Sequence, residues 1–357
     1  MATGVEDRGT RAGGGAPWPR RLVHAVDERL GIDALRYPVP EHANKLGWSL
    51  GGLTAVSFVV LLVTGVYLAQ FYNPMPEAAN QSVRDTMTGV WLGSFTRGLH
   101  FWAAQAMYVL VILHLLRVIL HGSYKRPREG NYLVGVAMFA LVIAALFTGT
   151  VLKWDQEAFE ALGHNTEIAE LLGGLGFWFT PEVADSLPIL VRLYTAHIVL
   201  VPGLILVLLT LHALLIKRHG ISRHPSIPPT AGERDEPFTN HLRRVATFGL
   251  VLAGALGLLT VLAPQGVGPT PVEGIEVTKP PWPFWWMFTL ENWFGLSAIL
   301  WGSVALFGLL VVLPFLDRGP DRSWRRRPFV IGATVLVVLA LVILTLLVPF
   351  TTAETHL

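Results

Sequence analysis

The sequence contains no cysteine among its 357 residues. Without a thiol the chain cannot hold a thiolate-bound iron–sulfur cluster, a thioether-linked haem or a disulfide of its own. Charged residues are also scarce, at 15%, whereas 52% of the residues are hydrophobic and the mean hydropathy is +0.50. A soluble protein of this length would not be so apolar. The composition therefore indicates a membrane protein, and the polar first 47 residues give no sign of a cleavable signal peptide.

Seven apolar runs are long enough to cross a bilayer. They lie at 48–70, 97–120, 132–152, 190–216, 245–264, 293–316 and 329–350. The expected fold is all-α, with an N-terminal four-helix bundle followed by a three-helix part. We expect four regions: a disordered tail at 1–19, the four-helix domain with an N-terminal interfacial helix at 20–222, a linker at 223–244, and the three-helix domain at 245–357.

Basic residues are distributed unevenly between the two sides of these spans. Of the 27 Lys and Arg, 21 lie before the first span or in the loops that follow the second, fourth and sixth spans. The positive-inside rule then predicts an inner N-terminus and an outer C-terminus. The basic runs at 125–128 and 325–327 abut spans, so they are interpreted as topology signals and not as nucleic-acid sites.

Two pairs of histidines lie within apolar runs. His100 and His114 are fourteen residues apart in the second span, and His197 and His212 are fifteen apart in the fourth. Each pair spans about 21 Å of helix, most of the hydrocarbon thickness. The expected couples are His100 with His197 and His114 with His212, each suited to holding a six-coordinate haem iron. Tilt or a local bulge can absorb the one-residue difference.

Glycines and arginines accompany these histidines. Glycines fourteen apart occur in the first span (Gly51, Gly65) and the third (Gly135, Gly149). A glycine lets a flat macrocycle approach the backbone, although small residues also serve ordinary helix packing in membranes. Arg97 and Arg117 each lie three residues from a histidine and are candidates for pairing with haem propionates, or for snorkelling to the interface. The remaining eight histidines, His164 among them, are expected at the surface.

The chain resembles cytochrome b of the quinol–cytochrome c reductase (cytochrome bc) complexes over about residues 20–350. It is most similar to the chloroplast and cyanobacterial type, in which a four-helix and a three-helix chain are separate. The matching stretches are Val39-Pro40 with Leu50-Gly51-Gly52, Arg97 to His100, His114 to Arg117, Lys125 to Glu129, Trp154-Asp155-Gln156, and Arg192 to His197.

The resemblance implies two non-covalent b-type haems on the four histidines and a quinone as substrate. It also implies a Rieske-type iron–sulfur protein and a cytochrome c-type subunit as partners, in a homodimeric complex. Ser49 stands about where the photosynthetic relatives attach a further haem to cysteine, so no covalent haem is expected here.

The resemblance places an outer quinol site in the loop between spans five and six. The family's Pro-Glu-Trp-Tyr motif corresponds to Pro280-Pro281-Trp282-Pro283, which contains no carboxylate. Quinol oxidation requires a base, and Glu291 is the expected proton acceptor; alternatively, it complements the dipole at the start of span six. Glu273 and Glu276 lie further from that span. Trp282, Phe284, Trp285 and Trp286 are expected to line a quinone pocket or an aromatic belt, and Lys217 is a candidate contact at the inner quinone site, although topology explains it equally well.

The function expected is therefore transmembrane electron transfer in a quinol–cytochrome c oxidoreductase of a prokaryotic cytoplasmic membrane. Quinol would be oxidised at the outer face and quinone reduced at the inner face, coupled to proton translocation. Two other classes remain open. A dihaem anchor of a dehydrogenase or hydrogenase would be shorter, and a transporter would carry midplane acidic residues that these spans lack.

Overall fold

The computed structural model describes residues 18–31, 36–184, 186–225 and 234–351. Most of the expected tail (1–17) and part of the expected linker (226–233) lie outside these residues. Among the described residues, seven helices are long and apolar enough to cross a membrane, which confirms the seven expected spans. They are α2 (Leu46–Ala69), α4 (Gly93–Leu120), α5 (Glu129–Val151), the continuous span Ile189–His219, α9 (Phe238–Leu262), α11 (Ser297–Leu316) and α12 (Pro328–Leu347). The span Ile189–His219 comprises α7 (Ile189–Thr195), a π turn and α8 (Val201–His219).

Shorter elements connect these helices. α1 (Trp18–Leu30) precedes the first span, α3 (Pro76–Gly89) and α6 (Gln156–Leu171) follow α2 and α5, and α10 (Trp285–Phe294) precedes α11. Strands β1 (Pro38–Pro40) and β2 (Asp235–Pro237) form a small antiparallel sheet. We call the end of the bundle that carries this sheet the sheet end, and the opposite end, where α3 and α6 lie, the α6 end.

Helix packing follows two main pairs, α2 with α4 and α5 with α8. α9 packs on both α2 and α4, while α10 packs on α11 and α12 and α11 on α5. The C-terminal helices are therefore attached to both sides of the four-helix bundle. Hydroxyls within the spans, such as those of Thr54 and Ser57, donate to the carbonyl four residues earlier, which satisfies them where no water is present.

Two helix boundaries differ from the sequence-based expectation. α9 begins at Phe238, inside the expected linker, and contains Arg243 and Arg244. Hydropathy predicts which residues lie in the membrane, but the helix extends beyond those residues into the polar segment. Gly295 divides the expected sixth span into two helices. Its backbone is left-handed, with a φ of 80°, so α10 ends before it and α11 begins after it. Glu291 therefore lies in the last turn of α10, so the alternative role at a helix N-terminus is wrong.

A buried ionic cluster fixes the sheet end. Lys125 Nζ lies 2.6 Å from Asp317 Oδ1, and Arg327 Nη1 lies 3.2 Å from Asp317 Oδ2. Arg327 also donates to the carbonyls of Ile119 and Leu120, at the end of α4. The cluster joins the loop after α4 to the loop between α11 and α12, so these basic residues have a structural role besides any topological one.

Candidate functional site

One histidine couple lies near the α6 end of the bundle. The rings of His100 on α4 and His197 before α8 have centroids 6.3 Å apart. Two imidazoles that bind one metal ion through nitrogen, at about 2 Å each, have centroids roughly 6 Å apart. The spacing of this couple therefore suits two imidazole ligands of one metal ion.

The fifteen-residue spacing of the second histidine pair is explained by a π turn at Ala196–Leu200, which includes His197. A π turn accommodates one extra residue within a helix. Pro202 follows it; this residue has no N–H for the carbonyl of Ile198, and its ring would clash with that carbonyl in a regular helix. The extra residue brings the fifteen-residue pair into register with the fourteen-residue pair on α4.

Two threonines orient this couple, and the sequence reasoning missed both. Thr64 Oγ1 lies 2.9 Å from His100 Nδ1, and Thr148 Oγ1 lies 2.9 Å from His197 Nδ1. Each hydroxyl also donates to the carbonyl four residues earlier, so its oxygen accepts a hydrogen bond from the ring Nδ1–H. Engaging Nδ1 leaves Nε2 available to coordinate a metal ion. The signal was available: a Thr-Gly dipeptide recurs in α2 and α5.

The second couple lies toward the sheet end. His212 Nδ1 is 3.2 Å from the Asn131 carbonyl oxygen. The Nδ1 atom of His114 is buried and has no hydrogen-bond partner among the residues that the structure describes. Like the first pair, both rings face a glycine on a neighbouring helix.

All four expected glycines contact a histidine ring. A Cβ on Gly149 would lie 2.9 Å from His197 Cε1, one on Gly51 3.0 Å from His114 Cε1, and one on Gly65 3.3 Å from His100 Cε1. Gly135 is looser, at 3.8 Å from His212 Cε1. Three of the four positions thus have no room for a side chain beside the ring.

An apolar layer separates the two couples. It comprises Phe58 of α2, Met107 of α4, Val142 of α5, and Val201 and Ile205 of α8, all of them buried. Met107 is seven residues from each α4 histidine, and Phe58 and Val142 are each midway between the glycines of their own helix. The bundle therefore has three levels: a couple, an apolar layer and a couple.

These residues fit haem as the bound group. In the part of the chain that the structure describes, no group of three or more His, Asp or Glu side chains is arranged to hold a metal ion by itself. Paired imidazoles with no third ligand suit an ion whose other four ligands come from a porphyrin. The four glycines beside the histidine rings, which we call the glycine cradle, and the unpartnered His114 Nδ1 suit a flat group between the helices.

The two arginines next to the histidines have partners within the protein. Arg97 donates to the carbonyls of Gln265 and Gly266 at 2.7 and 3.1 Å. The guanidinium of Arg117 lies 4.4 Å from the ring centre of Trp48, and its buried Nε has no hydrogen-bond partner. Arg117 thus retains capacity for a further acceptor, whereas Arg97 holds the loop that follows α9.

A cavity of about 230 Å³ lies at the α6 end, among α5, α6, α10 and the loop before α10. Its apolar wall includes Phe147, Phe284, Met287 and Phe288, and its polar wall includes carboxylates and His164. Pro281 lines it, but Trp282 does not; the indole Nε1 of Trp282 donates to Gln105 Oε1 at 2.7 Å instead. Of the four aromatic residues expected at this pocket, the structure brings Phe284 to the cavity.

Side chains of α6 bind the loop that closes this cavity. Glu160 accepts from the backbone N–H groups of Val277 and Thr278 at 3.0 and 2.9 Å, and from the Thr278 hydroxyl. Gln156 exchanges hydrogen bonds with Val272 and Ile275. The Trp-Asp-Gln stretch and the helix after it thus determine the position of a loop more than 100 residues away.

His164 faces the cavity, so the expectation that it is a surface residue is wrong. Its Nε2 lies 3.1 Å from Glu291 Oε1 and 3.3 Å from Glu276 Oε1. Glu276, the more distant candidate in sequence, belongs to the same cluster as Glu291. His42 and His241, also expected at the surface, are buried near the sheet end. Lys217 Nζ lies 5.9 Å from the ring centre of Tyr37 at that end.

The fold and the site define a multi-pass membrane protein whose helical bundle holds paired histidines. Family models match the chain twice: cytochrome b/b6/petB over residues 34–220, and cytochrome b(C-terminal)/b6/petD over residues 270–356. The chain belongs to the cytochrome b/b6 family, and this membership implies binding of b-type haem.

Relatives match the bundle or most of the chain. Cytochrome b6 of Heliomicrobium gestii is 36% identical over 194 residues, which is 53% of this chain and 91% of that protein. The menaquinol:cytochrome c reductase cytochrome b subunit of Geobacillus thermodenitrificans is 35% identical over 57% of this chain and 97% of that protein. The cytochrome bc complex cytochrome b subunit of Chlorobaculum thiosulfatiphilum is 31% identical over 86% of this chain and 75% of that protein.

A solved chain of a hyperthermophilic respiratory Complex III has the same fold. Its TM-score is 0.79 at 21% identity, and the match covers 93% of this chain and 92% of the solved one. The likeness therefore extends over both the four-helix bundle and the C-terminal helices.

Proposed function

We propose that the chain is the electron-transfer subunit of a quinol–cytochrome c reductase that oxidises quinol at the α6 end and reduces quinone at the sheet end. The observation that carries this proposal is the stacking of two histidine couples along one bundle, separated by an apolar layer. The relatives that are subunits of a menaquinol:cytochrome c reductase and of a cytochrome bc complex support it.

His100 with His197, and His114 with His212, would each hold one non-covalent b-type haem. When bound, the two haems supply one-electron carriers that connect the two ends of the bundle. The chain's own residues orient the ligands through Thr64 and Thr148, keep side chains out of the glycine cradle, and exclude water with the apolar layer between the couples. Arg117 would pair with a haem propionate at the sheet end.

The cavity at the α6 end would bind the quinol head group. Its phenylalanine and methionine wall suits an apolar ring, and its polar wall presents Glu291. Oxidation of a quinol releases protons, so a base must lie within hydrogen-bond reach. The Glu291 side chain is 4% exposed, and its Oε1 lies 3.1 Å from His164 Nε2. We assign the proton acceptor to Glu291.

Quinone reduction is assigned to the sheet end, with Lys217 as a contact. Uptake of protons there and release at the α6 end would translocate protons across a prokaryotic cytoplasmic membrane, with the N-terminus inside. A Rieske-type iron–sulfur protein and a cytochrome c-type subunit would be the partners, because the chain has no cysteine for a cluster or a covalent haem. The complex would be a homodimer.

A dihaem anchor would need only the four-helix bundle. In this structure α9 and α11 pack on opposite sides of that bundle, and the loop before α10 completes the cavity against α6. This involvement of the C-terminal helices favours the reductase over the anchor.

The test is a haem count and an activity measurement on the purified complex. We expect two b-type haems per chain in the dithionite-reduced minus oxidised spectrum, and quinol-dependent cytochrome c reduction that an inhibitor of quinol oxidation stops. His100→Leu and His114→Leu should each remove one haem signal and leave the other measurable. A complex without haem, or one that keeps both signals in the two variants, would contradict the proposal.

A further inference from the structure

Three titratable side chains with little solvent exposure meet at the α6-end cavity, although they come from three separate segments. His164 lies on α6, Glu276 in the loop before α10, and Glu291 in α10. Their side chains are 17%, 6% and 4% exposed. The ring Nε2 lies within 3.3 Å of a carboxylate oxygen of each glutamate, so one imidazole bridges two acids.

The other charged groups around this cluster have partners of their own. Glu157 lies 3.0 Å from Lys153, Glu160 accepts from the loop backbone, and Lys279 donates to the Val348 carbonyl. His164 Nδ1 donates to the Glu160 carbonyl at 2.7 Å, which fixes the ring and leaves Nε2 for the acids. Burial lowers the pKa of His164, but Glu291, the Glu160 carbonyl and Glu276 together outweigh it and raise the pKa to about 9.

We infer that His164 is a positioning residue for quinol oxidation: its imidazolium lies between Glu291 and Glu276 and joins them into one proton-accepting pair. This inference rests on the proposed function. The sequence offers a proline, Pro281, where the resemblance places the family's motif glutamate, and the cluster supplies carboxylates to the same cavity from other segments.

The physical reason is the cost of placing two carboxylates side by side. Two like charges that share a buried site cannot both ionise near neutral pH unless a cation lies between them. With the imidazolium in place the cluster carries a net charge of −1 and can accept protons. The quinol O–H bond breaks, and its proton forms an O–H bond on Glu291. The second quinol proton would form an O–H bond on Glu276, and the two electrons would pass to the Rieske-type partner and to the haem that His100 and His197 would hold.

The test measures quinol-dependent cytochrome c reduction by the purified complex between about pH 5 and pH 9. His164→Gln removes the cation, so one carboxylate should hold its proton to higher pH. The acid limb of kcat/KM should then move up by about one pH unit or more, with about a tenfold loss of rate near pH 6 and recovery at alkaline pH. His164→Lys keeps a cation beside both acids and should return the acid limb of kcat/KM to its wild-type position.

Glu276→Gln gives the opposite expectation, because Glu291 would then have the imidazolium to itself. Its acid limb should move to lower pH. Glu170→Gln, on the exposed end of the same helix, is the matched control and should leave the profile unchanged. A merely structural role for His164 would lower the rate equally at every pH, and the haem spectra of each variant show whether the protein has folded.

The outcomes separate the inference from the proposed function. An active Glu291→Gln variant would overturn the proton acceptor of the proposed function, and the inference with it. An inactive Glu291→Gln variant with unmoved acid limbs in His164→Gln and Glu276→Gln would overturn the inference alone. Opposite shifts in those two variants would support it. Should His164→Gln lose its haem, Glu276→Gln alone decides the inference. An acid limb that moves to lower pH in this variant supports the inference, and a limb that stays or moves to higher pH overturns it.

Discussion

Alanine at the four glycines should reduce haem binding in proportion to how closely each glycine approaches a histidine ring. The most severe change is Gly149→Ala, whose new Cβ would lie 2.9 Å from His197 Cε1. The ring cannot move away freely, because Thr148 on the same helix holds its Nδ1. Inserting a methyl group into such a packed site costs about 1–3 kcal/mol, which corresponds to a loss of haem affinity of roughly five- to 150-fold.

Gly135→Ala is the matched control, because its Cβ would lie at an ordinary contact distance of 3.8 Å. Alanine in place of glycine stabilises a helix by up to about 1 kcal/mol, so this variant should keep its haem or hold it more tightly. The assay is the haem-to-protein ratio of the purified complex, followed through repeated dilution. Gly51→Ala and Gly65→Ala should fall between the extremes. Equal losses in Gly149→Ala and Gly135→Ala would refute the steric argument.

Three further predictions concern single side chains. Thr148→Val removes a hydrogen bond worth about 1 kcal/mol, lowers the basicity of His197 and should raise the midpoint potential of that haem by roughly 40 mV; an unchanged redox titration would contradict it. Glu160→Gln leaves the loop with fewer acceptors and should raise the KM for quinol several-fold while the haem spectra stay intact, as stopped-flow assays would show. Asp317→Asn leaves Lys125 buried without its anion and should cost about 3–5 kcal/mol of stability, visible as a lower Tm.

The Asp317 prediction also has a pH dependence. Burial raises the pKa of Asp317, but hydrogen bonds from Lys125 and its neighbours outweigh it and hold the pKa below its usual value. A carboxylate of this kind contributes stability above its unfolded pKa of about 4, and the contribution is lost as pH falls through the lower folded pKa. The wild-type Tm should therefore fall below about pH 4 more steeply than that of Asp317→Asn.

The four-helix part of the fold could be predicted well, because its signals are local. Span length, the intervals between His100 and His114 and between paired glycines, and the resemblance all depend on residues within one helix. The α6-end cluster could not be predicted in the same way. His164 and Glu276 are 112 residues apart in the sequence, and they meet only because Gln156 and Glu160 bind the loop before α10. No pattern within α6 reveals that contact.

The orientation of side chains within the aromatic loop was equally beyond the sequence. Trp282 and Phe284 are two residues apart and equally apolar, yet the first donates to Gln105 and only the second reaches the cavity. The difference arises from a 3-10 turn at Trp282–Phe284 that leads into α10. A turn of this kind changes the direction of successive side chains by about 120° per residue, so composition alone could not assign the lining.

A seven-residue interval separates each histidine or glycine level from the apolar layer, and this interval explains why the bundle can hold two histidine couples with that layer between them. Seven residues are nearly two helical turns, so positions seven apart stay on one face and rise about 10 Å. α2, α4 and α5 each present a glycine or histidine, then an apolar residue, then again a glycine or histidine on that face. The histidines on α7–α8 are separated by one residue more than twice this interval, and the π turn that contains His197 takes up the extra residue. The irregular turn therefore follows from the regularity of the other three helices, since without it either His197 or His212 would rotate by about 100° away from the bundle interior.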